Sequence, residues 1–305
     1  MLARVLGQGG ALPAGVEVGI GDDAAVLERG HARGRLVWTI DEQVEGTHFE
    51  RALVGWRDVG WRSFMAAASD VAAMGAEPWC ALSALVLSDA VDDEALEAIA
   101  GGQGDAAAAL GTRIVGGNLA RGPAVSIATT LIGTCERAVS RAGAQPGDAV
   151  WIAGEVGLAA AGLRALREHR GDDPSLRRAI ESWRRPRALV AEGRAMGAVA
   201  HSAVDVSDGL ACDVARIAEA SEVEVVLDAG AIAGSVALAE AAAALGADAR
   251  DLALHGGEDY ALVVTSVHPI DGFRRIGAVR AGRGITLRGP HGEHAIDPKG
   301  YDHFG

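Results

Sequence analysis

Twice in this chain an apolar run ends in a turn carrying two carboxylates and passes at once into another apolar segment. The first is "VGIGDDAAVL", with Asp22 and Asp23; the second is "AVDVSDGLACDV", with Asp205 and Asp208. Gly and Asp are ordinary turn formers, so each stretch taken alone is also what a solvated turn looks like. Repeated at strand ends, however, the pattern points to a mixed fold, because open α/β architectures gather their ligand sites there.

The rest of the chain fits that class. "RLVWTID" (35–41) reads as a strand, and 55–76 as a long helix closed by Gly75 with Pro78 beyond. Residues 79–88 read as a buried strand. Residues 92–111 read as helical, though Gly101, Gly102 and Gly104 interrupt them; "TRIVGGN" and "PAVSIATTLIGTC" are strands. Composition shifts at "SRAGAQPGDAVWIAG", which places a domain boundary near 137 and gives domains 1–137 and 138–305. The second half offers a helix at 157–168, a polar loop at 169–175 and a helix near 187–199. A strand-turn-helix at 201–221, an Ala-rich helix over 231–247 and a strand at "ALVVTS" complete it. The expected class is α/β, or α+β, in two domains.

Charge and composition narrow the chemistry. A net charge of −13 disfavours nucleic acid, whose phosphates need clustered basic residues. Lys299 is the only lysine, in "DPKGYD", which excludes a Walker A loop and disfavours a lysine Schiff base. Three cysteines without CxxC spacing fit a reducing compartment and argue against a cysteine zinc site. The longest apolar run carries Glu240 and the N-terminal stretch lacks a signal-like apolar core, so a cytoplasmic protein without membrane contact is expected.

Two further acids need an explanation. Asp41 ends a strand. Asp70 lies inside a helix among Ala66, Ala67, Ala73 and Met74, with no basic residue on its own helix to pair with. Burying it is costly unless something outside the helix compensates. In the second acidic turn Ser207 is placed to cap a helix whose apolar stripe is Leu210, Val214 and Ile217. The spacing fails an EF-hand, since Gly209 stands where that loop wants an oxygen ligand. Carboxylates that converge repel unless divalent cations lie between them, and oxygen-only donors indicate Mg²⁺ or Mn²⁺ rather than zinc. Metal ions would then neutralise the phosphates that lysine cannot.

"GIGDDAAVL", "IDEQVEGTHF", "SDVAAMGAEP", "RIVGGN", "SRAGAQPGDAVWIAG", "AVDVSDGLACDV" and "LHGGEDYALVVT", with the closing "KGYDHF", stand in the order seen in thiamine-monophosphate kinases. The chain resembles that family, in the superfamily of aminoimidazole ribonucleotide synthetase and selenophosphate synthetase, along essentially its whole length. The resemblance implies ATP- and Mg²⁺-dependent phosphorylation of thiamine monophosphate to thiamine diphosphate. It also implies a two-domain fold in a homodimer: an N-terminal mixed sheet with helices that pairs with its copy and binds ATP and metal, and a C-terminal α+β domain completing the active site. Matched motif by motif, the metal ligands fall on Asp22, Thr39, Asp41, Asp70, Asp205 and Asp208, and the ATP contacts on Gly117, Asn118, Arg141 and Ser207. The thiamine-phosphate contacts fall on His48, Glu258 and Tyr301; Arg141 and Asp208 are the implied catalytic pair. Singly, His48 also reads as a turn histidine, Glu258 and Asp259 as a solvated strand lead-in and Tyr301 as a tail residue.

The family usually has Gly-Gly-Asp where this chain has "GGN", and Thr where it has Ile40. Both changes are expected at one metal position, weakening it. They keep two other readings open: a relative that binds these ligands without efficient transfer, and a synthetase acting on another small molecule. "GTHF" and "GGEDY" favour thiamine phosphate over the latter.

Overall fold

The computed structural model describes residues 16–18, 22, 25–28, 34–298 and 300, with the side chains of 16–18, 25 and 27 left out. It divides into two compact units, 1–140 and 141–305.

In the first unit β1 (Val16–Val18), β2 (Ala25–Glu28), β3 (Arg35–Val44), β4 (Glu77–Leu87), β5 (Ile114–Arg121) and β6 (Ser126–Cys135) form one sheet, ordered β1-β2-β3-β6-β4-β5. All neighbours are antiparallel except β4 and β5. Side chains alternate across a strand, and β3 shows it clearly. Val37, Thr39 and Gln43 are buried on one face, while Trp38, Ile40 and Glu42 are exposed on the other. Helix α1 (Trp56–Ala73) covers the inner face over β3, β4 and β6, and α2 (Asp93–Ala109) lies on α1 and β5.

The glycines of 101–104 do not break α2. It starts at the capping side chain of Asp92, which accepts from Ala95 N at 2.8 Å, and runs unbroken to Ala109. A Cβ on Gly102 would stand 1.8 Å from Arg57 O, and one on Gly60 would stand 2.0 Å from Ile99 O. The two helices touch backbone to backbone, and only glycine permits that approach. Beside the crossing Gln103 is buried and donates through Nε2 to Ser83 Oγ (2.9 Å), Ser63 Oγ (3.2 Å) and Thr129 Oγ1 (3.3 Å), tying both helices to the sheet.

The second unit holds β7 (Ala149–Ala153), β8 (Ser202–Val206), β9 (Glu224–Asp228), β10 (Ala261–Ser266), β11 (Arg274–Arg280), β12 (Gly284–Gly289) and β13 (Gly292–Ala295). Their order is β13-β12-β9-β11-β7-β10-β8, antiparallel except for β9 with β12. Every residue of β8 and β10 is buried. The helices are α3 (Leu158–Arg167), α4 (Arg177–Arg184), α5 (Val190–Met196), α6 (Leu210–Ser221), α7 (Ala229–Ile232), α8 (Val236–Leu245) and α9 (Ala249–His255). Two differ from the sequence reading. The Ala-rich 231–247 is not one helix: it breaks at Gly234, and Ser235 caps α8 by accepting from Leu238 N at 3.3 Å. Helix α4 was hidden by its four charges, yet it buries Ala179, Ile180 and Trp183 on one side.

Candidate active site

In the first unit the structure brings Thr39 and Asp70 together. Thr39 faces inward from β3 and its Oγ1 donates to Asp70 Oδ2 at 2.5 Å. This is the compensation that an acid inside α1 requires, supplied from the sheet. Asp41, two residues along on the same face of β3, accepts from Gln43 Nε2 at 3.5 Å. Asp22, half-buried, lies between β1 and β2 in the chain; Asp23 lies outside the described residues. His48 serves its turn, since Nδ1 accepts from Val44 N at 3.0 Å. A neutral imidazole that accepts at Nδ1 carries its proton on Nε2, as a donor.

Gly117 and Asn118 sit on β5 along a groove of about 930 Å³ between that strand and α2, with Ser83, Gln103 and Gly104 also lining it. The register corrects one expectation. Ile40 lies opposite Thr130, which lies opposite Leu82, whereas Asn118 lies beside Ala84. Ile40 and Asn118 are three strand spacings apart, about 14 Å, and Ile40 points away from Thr39 and Asp41 on the other face. The two departures are not at one position.

In the second unit Asp205 is buried one residue before the end of β8, and Ser207, Asp208 and Gly209 lead into α6. Ser207 does not cap this helix. Asp213, a fully buried acid one turn inside α6, does the work instead. Its Oδ2 accepts from the backbone N–H of Ser207 (3.0 Å), Asp208 (3.1 Å) and Gly209 (3.2 Å). Its Oδ1 takes Arg216 Nη1 at 2.5 Å, and Arg216 Nη2 bonds Asp208. Burial pushes the Asp213 carboxyl up to about 7, against the pull of Arg216. Burial also pushes the Cys212 thiol up, with the Arg216 charge acting the other way. Asp208, Cys212 and Asp213 are neighbours, and the Arg141 carbonyl accepts from Ser221 Oγ at 3.2 Å. Gly300 is close by, since a Cβ there would meet Cys212 Sγ and Asp208 O at 2.9 Å. Tyr301 follows it but lies outside the described residues.

The "GGEDY" segment is laid on the same loop. Glu258 N donates to Ser207 O and Tyr260 N to Val206 O, both at 2.8 Å. Gly257 allows this, for a Cβ there would stand 2.4 Å from Ser207 O. Glu258 and Tyr260 take φ of 63° and 51°, a region costly for side-chain-bearing residues and frequent at functional sites. Asp259 turns inward and caps α3, accepting from Gly157 N (2.6 Å) and Ala159 N (3.0 Å); burial pushes its carboxyl up to about 7 against those bonds. Glu258 Oε2 accepts from Trp183 Nε1 at 2.7 Å.

Asp213, Arg216 and Trp183 escaped the sequence reading, and Asp259, read there with Glu258 as a solvated lead-in, is instead an inward cap. The signals available were an acid four residues past Gly209 in "SDGLACD", and a second acid beside Glu258. Among the described residues one group of three possible metal donors lies within 4.8 Å, namely Asp208, Cys212 and Asp213. Asp213 is committed to the loop amides, and the protonated thiol is a soft donor, so Asp208 is its only member suited to a hard cation.

The family described as AIR synthase related protein matches the chain twice, its N-terminal domain over residues 21–135 and its C-terminal domain over 145–269. A thiamine-monophosphate kinase of Mycobacterium tuberculosis (strain ATCC 25618 / H37Rv) is 36% identical over 297 residues, covering 96% of this chain and 87% of the relative. That of Escherichia coli (strain K12) is 33% identical over 306 residues, covering 95% and 92%. Among solved structures, AaThiL complexed with AMPPCP and TMP superposes with a TM-score of 0.87 at 29% identity, covering 99% of this chain and 94% of that one.

Proposed function

The chain belongs to the thiamine-monophosphate kinase family of AIR synthase related proteins, and from that premise we propose how its residues divide the work of an ATP-dependent phosphoryl transfer. The reaction is phosphorylation of thiamine monophosphate to thiamine diphosphate. One observation carries the assignment of roles. The acidic loop 205–209 and the "GGEDY" segment are hydrogen bonded to each other through Ser207 O and Glu258 N. A residue read as an ATP contact and one read as an acceptor-substrate contact are thus held in fixed register.

The ATP contacts are Gly117 and Asn118 on the groove beside α2, and Ser207 and Arg141 in the second unit. Arg141 offers a planar fork of donors suited to phosphate, which a lysine-poor chain must obtain from arginine. The acceptor oxygen belongs to a phosphate monoester already ionised at neutral pH, so no base is needed. The protein's task is alignment and charge neutralisation. His48 Nε2–H, Glu258 and Tyr301 are the acceptor-substrate contacts. The donor set fits magnesium: Asp22, Thr39, Asp41, Asp70, Asp205 and Asp208 offer only oxygen, and Thr39 already lies within bonding distance of Asp70. Those carboxylates would hold magnesium, which would offset the charge of the phosphates there. Asn118 contributes an uncharged oxygen where the family usually has a carboxylate.

The test is incubation with ATP, thiamine monophosphate and Mg²⁺, followed by chromatography for thiamine diphosphate, with Asp208→Asn in parallel. Product from the wild type and its loss in Asp208→Asn are expected. Nucleotide binding without product would overturn the kinase reading in favour of a binding relative.

The homodimer rests on the outer face of the first sheet. Ile40 is 67% exposed, Trp38 47% and Leu82 46%, and the strand register sets all three on that face. An apolar sheet face of this kind marks an association surface, and a second copy, offering the same face, is its proposed occupant. Leu82→Glu is expected to convert a dimer to a monomer in light scattering; an unchanged mass would remove this face from the interface.

A further inference from the structure

We infer that Trp183 is the positioning residue that sets Glu258 to select the aminopyrimidine of the acceptor, an inference that rests on reading Glu258 as an acceptor-substrate contact. Trp183 is 1% exposed on the inner side of α4, and its indole nitrogen is a donor only. That donor meets Glu258 Oε2 at 2.7 Å. The main chain beneath Glu258 is pinned as well, by Glu258 N to Ser207 O, by Tyr260 N to Val206 O and by the Asp259 cap on α3. A left-handed turn is formed at less cost by Gly or Asn than by Glu. The strain, the pinned backbone and the buried donor all hold one carboxylate in one orientation, which folding alone does not ask for.

The consequence is selectivity. An ionised carboxylate only accepts hydrogen bonds. Held in a fixed plane, it pairs with the exocyclic amine of an aminopyrimidine and opposes a ring that carries a carbonyl oxygen at that position. A carboxylate free to swing turns towards water and loses the distinction. Sites built to bond a particular donor discriminate strongly because the wrong partner leaves a buried group unpaired.

Trp183→Phe keeps the aromatic packing and removes only the N–H. With ATP saturating, the KM for thiamine monophosphate is expected to rise about tenfold. The kcat and the KM for ATP should stay within about twofold of wild type, and preference over the analogue bearing oxygen in place of the exocyclic amine should fall by a similar factor of about ten. Glu258→Ala should itself raise the KM for thiamine monophosphate, and Trp183→Phe added to it should change nothing further. If Glu258→Ala raises that KM and Trp183→Phe does not, the role given to Trp183 is wrong. Equal effects on ATP and thiamine monophosphate, or additive effects in the double variant, make Trp183 structural only and equally overturn it. An unchanged KM in Glu258→Ala instead sinks the reading of Glu258.

Discussion

Asp70→Asn is expected to lower thiamine diphosphate formation by about 10³-fold, the scale of removing one preorganised charge from a phosphoryl-transfer site, while leaving the protein folded. Asn keeps the size of Asp70 and an oxygen that can still accept from Thr39 Oγ1, so the contact between β3 and α1 survives. What disappears is the negative charge. The helix around Asp70 is lined with buried alanines and methionine and gains nothing from a carboxylate in packing terms. Steady-state kinetics with magnesium titrated, beside a thermal melt, separates the two effects. A variant retaining most activity with an unshifted magnesium curve would take Asp70 out of the metal site.

Gly102→Ala is expected to destabilise the protein by about 3 kcal/mol, the upper range for forcing volume into a packed interior. The added methyl would overlap Arg57 O at 1.8 Å and also crowd Trp61 N, so α1 and α2 must separate. The neighbouring Gly104 supplies the control, because a Cβ there meets nothing within 4 Å. Gly104→Ala should leave stability unchanged or raise it by roughly 0.5–1 kcal/mol through helix propensity. Chemical denaturation of the two variants distinguishes a helix crossing from a mere weak spot in the helix. Equal stability for both would remove the backbone contact as the reason for the glycines.

Much of the fold was legible because periodicity is local. That 35–41 form a strand and that α1 stops near Gly75 are both written in neighbouring residues. The glycines of α2 were visible, but their purpose was not, since it depends on which helix crosses at 102. Helix α4 was obscured because the polar side of a short amphipathic helix looks like a loop. Of the candidate site, Asp205, Asp208 and Glu258 could be picked from their motifs. Their supports were harder to see: Asp213 acts on backbone amides four to six residues earlier, and Trp183 reaches Glu258 across 75 positions. Single motifs mark the candidate contacts, and tertiary folding decides what holds those groups still.

Strand β5 carries Gly117 and Asn118 at the margin of its sheet, bonded to β4 on one side, with nearly every residue exposed. A ribbon held along a single seam yields before strands clasped on both flanks. That wall of the candidate nucleotide groove is therefore held less firmly than the central strands β3, β6 and β4, while Gln103 and the helix crossing fix the opposite wall.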